Sequence, residues 1–107
     1  MSEYIKTCTF NQAKKLAEEA ALDDLAEFMG DPTMNVLDDM YVEAEYCWFF
    51  FRNKQIQGPP ERVLRWKRAY AVSKKGGLRV IADYSKDPVR LQEYLQIMSN
   101  HFKEKGE

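Results

Sequence analysis

The sequence predicts an α+β fold: an N-terminal amphipathic helix packed on an antiparallel sheet of about four strands, with a second helix at the C-terminus. Three observations lead there. Apolar residues recur at spacings of three and four between positions 10 and 29. After position 34 the pattern changes to alternation, rich in aromatic and β-branched residues. From position 88 the helical period returns.

The first helix is expected over 9–29, after an N-terminal arm of residues 1–8. Thr9-Phe10-Asn11-Gln12 has the form of a capping box, in which the Thr9 hydroxyl takes a free backbone N–H and Gln12 reaches back to the cap. Ala13, Leu16, Ala17, Ala20, Ala21, Leu25 and Phe28 form the apolar face, while Lys14, Lys15, Glu18, Glu19, Asp23 and Glu27 fall mostly opposite. Gly30 suits a left-handed position after the last turn, and Pro32 prevents continuation.

Strands are expected over 34–52. Met34, Val36 and Leu37 make a short strand, Asp38-Asp39 offers a turn, and Met40 to Arg52 reads as one long strand. Within it Glu43 and Glu45 fall on one face with Cys47, Phe49 and Phe51, and Trp48 and Phe50 on the other. A strand apolar on both sides belongs at the centre of a sheet, with one face on the helix. The other face requires a cover, which a C-terminal helix, a loop or a partner protein could supply.

Residues 53–68 read as a polar loop, since Gly58-Pro59-Pro60 cannot continue a central strand. Pro60 fits the first turn of a short helix carrying Val63, Leu64 and Trp66, although Leu64, Trp66, Tyr70 and Val72 also alternate as a strand would. A hairpin is expected over 69–85, turning at Gly76-Gly77. Asp87-Pro88 then supplies a cap and a first-turn proline for a helix over 87–102, with Lys103 to Glu107 as a frayed tail.

The 107 residues include 45% hydrophobic side chains, one His and two Cys, which indicates one domain with a core that needs no disulfide staple. The N-terminus lacks a basic stretch followed by an apolar run, and no segment approaches the roughly 20 apolar residues of a membrane span. A reduced, cytoplasmic setting is therefore expected. The formal net charge of −1 conceals an asymmetry. Residues 1–51 carry three basic and eleven acidic side chains, net −8, and residues 52–107 carry thirteen basic and six acidic, net +7. Two such halves attract one another on folding and can also present an acidic and a basic region to charged partners.

Catalytic chemistry finds little material. His101 is the sole histidine, and Cys8 and Cys47 lie far apart with no CxxC spacing, so neither a zinc centre nor a Cys/His nucleophile pair assembles. Gly76-Gly77 precedes a strand, where a phosphate loop would need a helix. Asp38, Asp39, Glu43 and Glu45 lack a Gly-bearing ligand loop and read as an acidic strip facing solvent or a partner. No metal, cofactor or enzymatic activity is expected. The cluster Arg62, Arg65, Trp66, Lys67 and Arg68 could grip phosphates and stack a base. The acidic half opposes that, and pairing of these arginines with it is the favoured reading.

Tyr46-Cys47-Trp48-Phe49-Phe50-Phe51 resembles the aromatic strand signature of a small bacterial family, the immunity protein 35 or YrhB-like domains. The similarity extends to the Ala-rich stretch Ala13 to Ala21, to Val36-Leu37-Asp38-Asp39, to the 53–68 loop, to Ala69 to Val72 with Gly76-Gly77, and to Leu91-Gln92-Glu93-Tyr94-Leu95. Cys47 stands where the family usually has glycine. The resemblance implies an antidote that binds and neutralises a cognate protein toxin in the bacterial cytoplasm. The residues expected to meet it are Asp38, Asp39, Glu43 and Glu45 with Trp48. The alternatives are a generic interaction or chaperone-like domain, homodimeric through the aromatic strand, and then a nucleic-acid binder using the basic loop. The protein would be monomeric or homodimeric.

Overall fold

The computed structural model describes residues 4–31 and 33–107. The first three residues of the expected arm, and Pro32 as a helix stop, lie outside the described residues. The elements run α1 (Phe10–Leu25), a 3-10 turn (Ala26–Phe28), β1 (Leu37–Glu43), β2 (Cys47–Arg52), a 3-10 turn (Pro60–Arg62), α2 (Val63–Trp66), β3 (Arg68–Ser73), β4 (Leu78–Ala82) and α3 (Pro88–Lys105). The four strands form an antiparallel meander in the order β1-β2-β3-β4, giving the expected α+β arrangement.

Both helix starts follow their sequence signals. Gln12 N donates to Thr9 Oγ1 at 3.2 Å and Thr9 N to Gln12 Oε1 at 2.9 Å, which completes the capping box. Arg90 N donates to Asp87 Oδ1 at 3.2 Å, with Pro88 in the first turn of α3. Both helix ends differ from expectation. Past Leu25 the chain tightens into the 3-10 turn, and Gly30 does not take the left-handed conformation. That conformation occurs at Gly106, after α3 has continued through Lys103 and Lys105, whose charges favour a helix C-terminus. Residues 103–107 are therefore docked, not frayed. The Glu107 carbonyl oxygen accepts hydrogen bonds from Tyr4 Oη and Ser73 Oγ.

The long strand expected from Met40 to Arg52 is two strands of a hairpin. The chain reverses at Ala44 to Tyr46, closed by a bond from Ala44 N to Cys47 O of 2.8 Å, and Tyr41, Val42 and Glu43 pair with Phe50, Phe49 and Trp48. Asp38-Asp39 is not a turn. Leu37 pairs with Arg52 and Tyr41 with Phe50, so β1 spends three residues, Asp38 to Met40, where β2 spends one. The Asp pair thus occupies a bulge, which suits residues that fit a regular ladder poorly. Glu43 and Glu45 consequently do not share a strand face, because Glu45 sits in the turn.

Each face of the sheet carries one helix. The stripe Ala13, Ala17, Ala21 and Leu25 of α1 is small enough to bring the helix close over Trp48, Phe50, Tyr70 and Val72. On the other face Leu91, Leu95 and Phe102 of α3 cover Cys47, Phe49, Phe51, Ala69, Ala71 and Ile81. The cover left open in the sequence is therefore the C-terminal helix. Ser99, buried in α3, accepts a bond of 3.1 Å from Tyr46 N and ties the β1-β2 turn to that helix. Among the described residues no helix is long and apolar enough to cross a membrane.

Candidate binding surface

The acidic residues singled out in the sequence gather along one edge of the sheet. β1 is an edge strand, and its bulge places Asp38 and exposed Asp39 at one end while Glu43 and Glu45 stand at the other. Met40 and Tyr41 between them are 40% and 46% exposed. Tyr41 is anchored nonetheless, its ring 4.7 Å from that of Phe10. A cleft of about 270 Å³ runs from the start of β1 to α1 and is lined by Lys14, Glu18, Leu22, Met34, Val36 and Asp39. An edge strand offers free backbone donors and acceptors, and a bulge with carboxylates keeps it from pairing with any strand it meets.

Glu43 is partly committed inside the molecule. Its carboxylate pairs with the ammonium of Lys74, which is buried and lies 4.0 Å from the centre of the Trp48 ring. Trp48 itself is only 5% exposed, beneath α1. It therefore supports the surface from below and does not present its indole to a partner. The alternation that singled it out specifies a half-buried strand, and the paired helices bury both faces.

The basic cluster is divided by the fold. Arg62 and Arg65 both reach Glu27, at 3.7 and 2.9 Å, and Arg68 reaches Asp24 at 3.3 Å, so these arginines pair with the acidic half. Trp66 is buried and donates its indole N–H to Pro59 O at 3.0 Å, which leaves no open ring for base stacking. Lys67 alone of the five is exposed with no ion partner among the described residues.

The cysteines occupy contrasting places. Cys47 is enclosed under α3, and burial pushes its thiol up to about 12, with the Lys74 charge opposing the shift. Cys8 is half-buried and burial raises it too. A thiol kept protonated is a poor nucleophile. Among the described residues no three His, Cys, Asp or Glu side chains come close enough together to hold a metal ion.

One polar centre has no local sequence signal. Arg52, at the end of the aromatic strand, is buried with Asp83, and Nη1 meets Oδ2 at 3.3 Å across 31 residues. Lys54 Nζ reaches the same oxygen at 3.2 Å. Burial would raise the Asp83 carboxyl, but bonds from Ser85 and the charge of Lys54 outweigh it and hold the group below its ordinary value. Only the return of the chain after β4 brings these residues together.

No protein-family model, no curated protein and no solved structure matches this chain.

Proposed function

We propose that this protein is a non-enzymatic binding protein of immunity type, which holds a cognate bacterial toxin in the cytoplasm through charge-complementary contacts. The observation that carries the reading is the acidic β1 edge. Asp38, Asp39, Glu43 and Glu45 lie along it with Glu18 beside the cleft, Lys14 in the cleft and Lys74 paired to Glu43 supply opposite charge among the described residues, and the exposed Met40 and Tyr41 interrupt the carboxylates. Carboxylates of this kind accelerate capture of a basic partner, and a rigidly seated tyrosine is a good anchor at little entropic cost. The resemblance at Tyr46 to Phe51 and along the rest of the chain supports the same reading.

The test is co-expression with the product of a neighbouring gene that is toxic alone. Relief of toxicity and co-purification are expected. A product that stays toxic and elutes separately overturns the function. Asp39→Lys with Glu45→Lys, both exposed, should slow association about tenfold at low salt and flatten its salt dependence. Unchanged association would remove the surface while leaving the function standing.

A homodimer is the second reading, for which we propose the β4 edge as the interface. β2 is enclosed on both faces and both edges, so its aromatics cannot form an interface, whereas β4 is an open edge with Leu64, Val80 and Ile97 exposed nearby. Sedimentation at micromolar concentration separates a dimer from a monomer.

A further inference from the structure

We propose that the cleft between the 52–57 segment and residues 83–86 is a binding site for a phosphate group. The cleft is about 140 Å³ and is lined by Arg52, Lys54, Lys67 and Lys86, with Gln57 and Ser85 as neutral polar groups and Asp83 as the one carboxylate. Four cations thus face one anion. Asp83 cannot balance them, because one carboxylate carries one negative charge, and its oxygens are already engaged. Oδ2 receives Arg52 at 3.3 Å and Lys54 at 3.2 Å, and Oδ1 receives Ser85 N at 2.9 Å.

One of the cations, Arg52, is an inner one. The side chains of Arg52 and Asp83 are 6% and 2% exposed, and that of Lys54 is 38% exposed. Arg52 and Lys54 share this one carboxylate, so the cleft keeps a net positive charge that attracts an anion. Asp87, which caps α3, does not line the cleft.

The donors are also fixed in place. The Arg52 guanidinium stacks 4.9 Å from the Trp66 ring, and Nε donates to Ile56 O at 3.1 Å. Nη2 has no protein acceptor among the described residues, yet no buried side-chain polar atom there lacks a partner. Nη2 therefore keeps contact with solvent, and Arg52 lines the cleft. Lys54 Nζ is held by Ser85 Oγ at 2.9 Å as well as by Asp83. A held guanidinium edge flanked by ammonium groups suits a tetrahedral oxyanion, which accepts several charged donors at once. The volume is enough for one phosphate group. The source is either free orthophosphate or the phosphate of a small monoester.

The test records ¹H–¹⁵N spectra of the full chain with inorganic phosphate, with glycerol 2-phosphate, and with sodium chloride at matched ionic strength. Saturable shifts at the amides of Lys54, Gln57, Ser85 and Lys86 are expected with the phosphates and not with chloride. A tighter response to glycerol 2-phosphate would identify a monoester as the ligand, and a response to orthophosphate alone would identify the free ion. Lys67→Gln with Lys86→Gln changes two exposed residues and leaves the buried cluster intact. It should weaken binding at least about tenfold while the rest of the spectrum stays in place. Shifts that chloride reproduces, that never saturate, or that the double variant leaves unchanged would overturn the site.

Discussion

The phenol of Tyr70 donates to Asp24 Oδ2 at 3.1 Å, and Arg68 Nη1 reaches the same oxygen at 3.3 Å. One carboxylate on the acidic helix thereby fastens two residues of β3. The opposed charges of the two halves of the chain are spent here, and at Glu27 and Glu43, on holding α1 and the first hairpin to the basic segment. Most of these pairs are partly exposed and individually worth little, but Tyr70 is fully buried and its hydroxyl must find a partner.

Tyr70→Phe should therefore lower stability by about 1 kcal/mol, with Arg68 still satisfying Asp24. Urea unfolding measures the loss. A double-mutant cycle with Asp24→Ala should give a coupling of about 0.5–1 kcal/mol. Additive losses would show that the bond contributes nothing.

Gly58 is required by packing. A Cβ there would lie 2.5 Å from Trp66 Cδ1 and 2.7 Å from Phe28 Cδ1, both in the packed layer between the 53–60 segment and α1. Gly58→Ala should cost about 1–3 kcal/mol and shift the tryptophan emission, because two aromatic rings must move together. Gly30, where an added Cβ meets nothing within 4 Å, is the control, and Gly30→Ala should stay within about 0.5 kcal/mol of wild type.

The two thiols should differ in reactivity. At pH 8 a disulfide reagent is expected to titrate Cys8 in the native protein, more slowly than a free thiol. Cys47, pushed up to about 12, should react only at the rate of unfolding. Rapid modification of both would contradict the enclosed position under α3.

Asp83 links stability to acid. Its folded value lies below the unfolded one, so the carboxylate's contribution is complete above the unfolded value near 4. It is lost as pH falls through the lower folded value. Asp83→Asn should cost about 3 kcal/mol at pH 7, because Arg52 loses its buried partner, and the difference from wild type should narrow below about pH 4. A difference that stays constant between pH 7 and 3 would exclude the linkage.

Local rules in the sequence settled the helix starts, since Thr9 with Gln12 and Asp87 with Pro88 act within four residues. They also settled the aromatic centre of the sheet and the β3-β4 hairpin, although its turn runs through Lys74 and Lys75, with Gly76 in the left-handed position that follows. The first hairpin escaped them for a physical reason. Alternation has the same period on both sides of a short reversal, and Ala44-Glu45-Tyr46 carries no glycine to mark one, whereas Asp38-Asp39 looks like a turn and serves as a bulge.

The acidic strip was legible as composition, and its location on an edge strand was not, because β1 becomes an edge only once β2 has paired with β3. Tertiary structure alone decided which charges remain free. Glu27 lies 38 residues from Arg65, Asp24 lies 46 from Tyr70, and Asp83 lies 31 from Arg52. No periodicity reaches across such separations. Those partners are chosen by the meander and its two helices, which bury Trp48 and Trp66, consume the arginines of the loop, and leave Arg52 and Lys54 sharing one carboxylate at the base of an open cleft.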